Sequence, residues 1–247
     1  MLYTETYGES GPELLIAHGL FGSSRNWGSI AKHFGQTRRV SVPDMRNHGQ
    51  SPWFDTHTYA DMAGDLSPFA GGDVIGHSMG GKAAMALALT EPDRVERLIV
   101  ADMAPVVYGH SHAQFIDAMM ALDLSDVRTR GHADRALAQA IPDRGVRVFL
   151  LQALDVKAKR WTLNLEVLLR QMDQIIGWPK IDAVFEGPTL FLSGGLSDYV
   201  LPEHRDQIRA LFPAAKFAAI PGAGHWLHAE RPAEFIAAVD AFLAMAD

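Results

Sequence analysis

The chain has no cysteine among its 247 residues. Disulfides, thiolate nucleophiles and cysteine-based zinc sites are therefore excluded, and the absence fits a reducing cytoplasm. Positive charge is also short: 22 Lys and Arg stand against 29 Asp and Glu, for a net charge of −7. No run of Lys and Arg supplies the basic stripe that a nucleic-acid partner requires. No stretch of about 18 uninterrupted apolar residues exists, so no membrane span is expected. Met1-Leu2-Tyr3-Thr4-Glu5 has neither the basic nor the apolar region of a secretion signal, and a cytoplasmic location is expected. Internal repeats and low-complexity linkers are absent. What remains is a composition 48% hydrophobic and 21% charged, which is globular rather than disordered.

Short apolar runs alternate with helical periodicity. Leu14–Ala17, Arg39–Pro43, Asp73–Gly76, Val95–Ala101, Thr189–Leu192 and Lys216–Ile220 are near-continuous apolar segments, the pattern of strands buried on both faces. Residues 2–7 alternate loosely and fit an edge strand. Helices are expected over 26–35, 57–70, 81–90, 203–211 and 232–245. The alternation specifies a parallel sheet with helices on both faces. Ligands then bind at the carboxyl ends of the strands, so the loops opening at His18, Asp44, Ser78 and Asp102 should share one rim. Between 106 and 184 the rhythm changes to helical segments (113–122, 132–140, 144–156 and 164–177) with no strand-like run. Phe115, Met119, Met120, Trp161, Leu165, Leu168, Leu169 and Met172 in this stretch are core residues or a pocket lining.

Gly76-His77-Ser78-Met79-Gly80 follows the strand 73–76 and opens an Ala-rich helix. A serine with glycine two residues either side, on a strand-to-helix turn, is the nucleophile-elbow pattern. The glycines permit close approach of strand and helix, and the helix N-terminus favours a developing anion. A serine hydroxyl needs a base, and the base needs an acceptor that holds its tautomer. His225 follows the last strand in a Gly-rich loop. Asp102 and Asp198 each follow an intervening strand. The order nucleophile, acid, base along the chain fits the α/β-hydrolase arrangement.

His18-Gly19-Leu20-Phe21-Gly22, Asp44 to Ser51, the elbow, Asp102-Met103-Ala104-Pro105 and Gly222-Ala223-Gly224-His225-Trp226 fall in the order of the α/β-hydrolase superfamily. The chain resembles that superfamily over nearly its full length. Asn47 and the Asp-Met-Ala-Pro stretch are similar to the small YbfF-like serine esterases. The resemblance implies a mostly parallel central sheet with helices on both faces, and a helical cap inserted after the sixth strand. The expected division is a core of residues 1–105 and 185–247 with a cap of 106–184. It implies hydrolysis of carboxylic esters, and of acyl thioesters as an extension, on a small-molecule substrate without cofactor or metal. Short to medium acyl chains are expected, because the apolar residues of the cap favour a closed pocket. C–C bond hydrolases, lactonases, perhydrolases and small-molecule receptors share the same triad.

In that reading Ser78 attacks the acyl carbon and His225 is the base. The backbone N–H of Met79 is one oxyanion donor. Leu20 is the second, with Phe21 as the alternative. Asp198 occupies the acid position usual in the superfamily; Asp102 follows the sixth strand and is the one the small-esterase resemblance favours. Other groups have structural readings. Asp44 and Arg46 should pair across their loop. His18 and His48 should support the rim, and His77 should be packed. His228 should begin the last helix. His110 and His112 lack a third ligand at metal spacing.

Overall fold

The computed structural model describes residues 1–245; the last two positions of the expected core segment lie outside them. The strands are β1 (Thr4–Tyr7), β2 (Glu13–Ala17), β3 (Arg39–Pro43), β4 (Gly72–His77) and β5 (Val95–Ala101). Among them run α1 (Gly28–Phe34), α2 (Tyr59–Leu66) and α3 (Met79–Thr90). Next come α4 (Ala113–Ala121), α5 (Arg130–Leu137), α6 (Arg144–Leu150), a small hairpin of β6 (Leu154–Asp155) and β7 (Arg160–Trp161), α7 (Leu165–Arg170) and α8 (Met172–Ile176). The chain ends with β8 (Thr189–Gly194), α9 (Arg205–Leu211), β9 (Ala215–Ile220), α10 (Leu227–Glu230) and α11 (Pro232–Leu243).

Seven strands form one sheet in the order β1-β3-β2-β4-β5-β8-β9. β1 is an antiparallel edge on β3, and every other pairing is parallel. Parallel pairing needs crossovers, and their helices cover both faces. The two-residue period divides each strand between two cores. Leu14, Ile16, Val40, Val42, Ile75 and Ile99 pack with Ile30 and Phe34 of α1 and Phe235 and Val239 of α11. Leu15, Ala17, Val74, Leu98, Val100 and Phe191 pack on the opposite face with α2 and α3. Single-face alternation is absent from the central strands β2, β4 and β8, whose two faces are both covered, whereas edge strand β9 keeps exposed positions.

Segment 106–184 leaves after the fifth strand in chain order, one fewer than the count implied by the resemblance. It is not strand-free: Leu154 pairs with Trp161 and Asp155 with Arg160. A two-residue ladder carries no periodicity to be read. Met119, Trp161, Leu165, Leu168 and Met172 are buried with the core, Phe115 packs against it, and Met120 is exposed. His228 lies in α10, separated from α11 by Arg231.

The sheet meets α3 at closest range where side chains are missing. A Cβ on Gly76 would stand 2.7 Å from Gly81 Cα, and one on Gly80 would stand 2.5 Å from His18 O. Both obstacles are backbone, which cannot rotate aside. Gly76→Ala should therefore lower stability by about 3 kcal/mol or more through overpacking. Urea denaturation checks this; an unchanged midpoint would contradict the close approach.

Candidate active site

Ser78 is the turn residue between β4 and α3, with φ 54° and ψ −122°. For a residue other than glycine such a backbone costs about 1–3 kcal/mol. Two bonds hold it: the Ser78 N–H donates to Ala101 O at 3.1 Å, and Ser78 O accepts the Lys82 N–H at 3.1 Å. The result aims Ser78 Oγ at His225 Nε2, 3.0 Å away. His225 reaches that position from the loop after β9, where Gly222 turns with φ 73°.

The carboxylate on the other side of His225 belongs to Asp102. His225 Nδ1–H donates to Asp102 Oδ2 at 2.7 Å, which leaves Nε2 free to accept from Ser78. Asp102 is fully buried at the end of β5 with φ 50°. Gly194 N–H donates to its Oδ1 at 2.9 Å, and the Ser197 hydroxyl donates to Oδ2. Three donors thus converge on one carboxylate. Asp198 is exposed and makes no hydrogen bond to His225. Neighbouring residues of the loop after β8 thus diverge: Ser197 turns in to Asp102 and Asp198 turns out to water.

The backbone donors separate in the same way. Phe21, at φ 65°, spends its N–H on His48 Nε2 at 3.2 Å. The N–H groups of Leu20 and Met79 have no such acceptor among the described residues. Met79 is the first residue of α3, where an N–H has no intrahelical partner. Leu20, Ser78 and Met79 line one cavity of about 30 Å³. A second, of about 70 Å³, adjoins Ser78 and His225 and is walled by Phe115, Val146, Phe149 and Trp226.

Buried histidines fix this rim in neutral form. His18 Nε2 accepts the Met45 N–H at 2.9 Å while its Nδ1–H donates to Gly19 O at 2.8 Å. His48 Nδ1–H donates to Arg46 O at 2.8 Å. His57 accepts from Asn47 Nδ2 and donates its Nε2–H to the Met79 sulfur at 3.2 Å. His77 Nε2–H donates to the backbone O of His225 at 2.9 Å. Burial lowers the pKa of all four, His57 to about 3. The expected Asp44–Arg46 pair does not form. Arg46 Nε binds Asp65 at 2.6 Å and its Nη1 lies 3.2 Å from Asp61, both on α2. Asp44 instead accepts the N–H groups of Ser24 and Gln50 at 2.7 and 2.8 Å. Its carboxylate serves the turns of two loops, and the adjacent arginine is left to reach a helix.

Four site residues have no role assigned from the sequence. Ser197 touches Asp102, and the Tyr199 ring stacks on His225 with centroids 3.9 Å apart. Tyr199 sits two residues after Ser197, and its N–H donates to the Ser197 hydroxyl oxygen at 3.3 Å. Lys82 is fully buried and lines the cavity at Leu20, and burial pushes its ammonium down to about 7. His57 is the fourth. Helical spacing from Ser78 could have located Lys82; nothing local could have located His57. No group of three or more His, Asp or Glu with metal-binding geometry occurs among the described residues.

With this geometry in view, likeness to known proteins becomes informative. The model of the Alpha/beta hydrolase family matches residues 14–238. A mouse protein named sn-1-specific diacylglycerol lipase ABHD11 is 43% identical over 249 residues, spanning 94% of this chain and 81% of that protein. Esterase YbfF of Escherichia coli K12 is 39% identical over 237 residues, spanning 93% and 92%. A solved structure called a marine microorganism esterase superposes with a TM-score of 0.93 at 40% identity, covering 98% of each chain. The chain belongs to the alpha/beta hydrolase family.

The histidines generate a pH prediction. His228 stacks on Trp27 with ring centroids 4.3 Å apart, its Nδ1 is unpartnered among the described residues, and burial lowers its pKa to about 3. Between the ordinary value of 6.5 and about 3, the unfolded chain binds a proton that the native state refuses. This contribution is complete above 6.5 and is lost as pH falls through that window. The urea midpoint should drop between neutral pH and about pH 5, and His228→Phe, which keeps the stack, should make the drop shallower. An unaltered pH slope in the variant would contradict the assignment.

Proposed function

We propose that this member of the alpha/beta hydrolase family hydrolyses carboxylic esters through an acyl-enzyme on Ser78. The observation that carries the reading is the continuous chain from Ser78 Oγ to His225 at 3.0 Å and from His225 to Asp102 at 2.7 Å. The relatives named esterase and lipase support ester hydrolysis as the reaction class.

His225 Nε2 takes the Ser78 proton as Oγ attacks the acyl carbon, and Asp102 stabilises the imidazolium that results. Charge develops on the former carbonyl oxygen. The N–H groups of Leu20 and Met79 receive it, at the N-terminus of α3 where negative charge is favoured. The tetrahedral species collapses, the bond to the leaving oxygen breaks, and His225 gives its proton to the departing alcohol. A water then enters. His225 removes its proton as the water oxygen attacks the acyl carbon, and collapse returns the proton to Ser78 and releases the acid. A thioester follows the same path with a thiol as leaving group.

We assign residues 1–105 and 185–247 to a catalytic core and 106–184 to a cap. Phe115, Val146 and Phe149 of the cap close over the cavity of about 70 Å³ beside Ser78. That small apolar space supports short to medium acyl chains. The relative named as a diacylglycerol lipase makes glycerol esters the first natural class to test.

A nitrophenyl butyrate burst should be present in the wild type and absent in Ser78→Ala. Asp102→Asn should lower kcat by roughly a thousandfold or more, since the imidazole then loses its tautomer partner. Asp198→Asn should stay within about twofold, as expected of an exposed carboxylate. Near-normal kcat in Asp102→Asn would overturn the acid assignment, and a burst surviving in Ser78→Ala would overturn the nucleophile.

A further inference from the structure

A cleft of about 910 Å³ opens between the core and segment 106–184, beside but separate from the cavities at Ser78. Its walls are the loops after β2 and β3 on one side and the β6–β7 hairpin on the other. Phe21 lines both this cleft and the cavity at Ser78 and His225.

The cleft is cationic in an acidic protein. Arg25, Arg130, Lys157 and Arg160 line it, with Asp44 and Asp155 as the carboxylates. Neither carboxylate pairs with a lining cation. Asp44 accepts the Ser24 and Gln50 N–H groups, and Asp155 accepts the Ala158 N–H at 2.9 Å. Arg130 is held by the carbonyls of Leu151 and Leu154, at 2.9 and 3.1 Å, rather than by a carboxylate. Arg25, Lys157 and Arg160 are exposed and make no side-chain hydrogen bond or ion pair among the described residues.

Four arginines that are buried or half-buried are treated differently. Arg38 and Arg97 share Asp73, Arg46 takes Asp61 and Asp65, and Arg147 takes Asp134. These less exposed arginines are met by aspartates, while three exposed cations from the core and the hairpin line one cleft without a carboxylate partner among the described residues. Such an arrangement raises local anion concentration, and guanidinium groups match phosphate oxygens.

We propose that this cleft binds a phosphate group carried by the leaving group of the substrate, so that Arg25, Lys157 and Arg160 hold the phosphate while the acyl carbon lies at Ser78. The inference rests on the ester-hydrolase reading and deepens it. Phe21 is where the two spaces meet, so the scissile bond lies near that ring and the leaving group passes from Ser78 into the cleft. A phosphorylated glycerol and the phosphorylated arm of coenzyme A share this chemistry and differ in reach.

The experiment compares substrates with one acyl group, with and without phosphate: butanoylglycerol against butanoylglycerol phosphate, and butanoyl-pantetheine against butanoyl-coenzyme A. The variant is Arg25→Gln/Lys157→Gln/Arg160→Gln in the full chain. For at least one phosphorylated substrate, KM should rise by about tenfold or more with kcat held, the loss expected of charge-assisted contacts. Phosphate-free substrates should change by less than about twofold, as surface substitutions remote from the chemistry do. An effect on the glycerol phosphate alone identifies the short arm, and one on the coenzyme alone identifies the long arm; either supports the proposal. Unchanged KM for both phosphorylated substrates, or an equal rise for the phosphate-free ones, would overturn it. Wild-type turnover of phosphate-free substrates only would also overturn it and leave the esterase reading standing. No turnover of any substrate would sink that reading instead.

Discussion

One buried carboxylate ties the functional end of this protein together. Asp102 has no access to water and no cationic side chain permanently beside it. Leaving such a charge unsatisfied would cost several kcal/mol. It is met by Gly194 at the end of β8, by Ser197 in the loop beyond, and by His225 from the loop after β9. Two separate parts of the chain, the end of β8 with its following loop and the loop after β9, therefore converge on one side chain at the end of β5. The register of β5 with β8, Ala101 opposite Leu192, brings those partners level. The Asp102 N–H also donates to Leu192 O at 2.9 Å, so the ladder extends into the loop before the chain turns away.

The serine side of the site obeys a different constraint, which is steric. Ser78 holds an unfavourable backbone angle because helix α3 must begin immediately over the end of β4. That is feasible only with hydrogen in place of a side chain at positions 76 and 80. Electrostatic satisfaction fixes Asp102, close packing fixes Ser78, and His225 bridges the two. His225 in turn is gripped from both faces of its surroundings. Tyr199 stacks on its ring, and His77 binds its backbone oxygen.

Much of this was legible in the residues. The continuous apolar runs mark strands buried twice over, and the elbow marks its own geometry because glycine is required there by touch. The order of Ser78, Asp102 or Asp198, and His225 was equally plain. The choice between the two aspartates was not. Both stand in loops after strands, and what distinguishes them is which one the pairing of β5 with β8 and the return of the chain after β9 bring to His225. Arg46 illustrates the same limit from another side. Its neighbour in sequence, Asp44, is the obvious partner, yet the turn sends the two side chains apart and Asp61 and Asp65 arrive from α2. The β6–β7 hairpin was invisible because two residues have no period.

Lys82 gives the arrangement a mechanical meaning. Its ammonium, rooted one turn into α3, donates to the carbonyls of Ile176 and Gly177 at 2.9 and 2.5 Å, where α8 ends. Tyr59 and Tyr108 present their rings to it. The segment over the site is thus moored to the same helix that carries the serine. Swinging that corner outward would strand a buried cation without acceptors. The mooring acts as a rivet: the corner at the end of α8 is fastened to the helix that begins at Ser78, so a shift of either element is felt by the other.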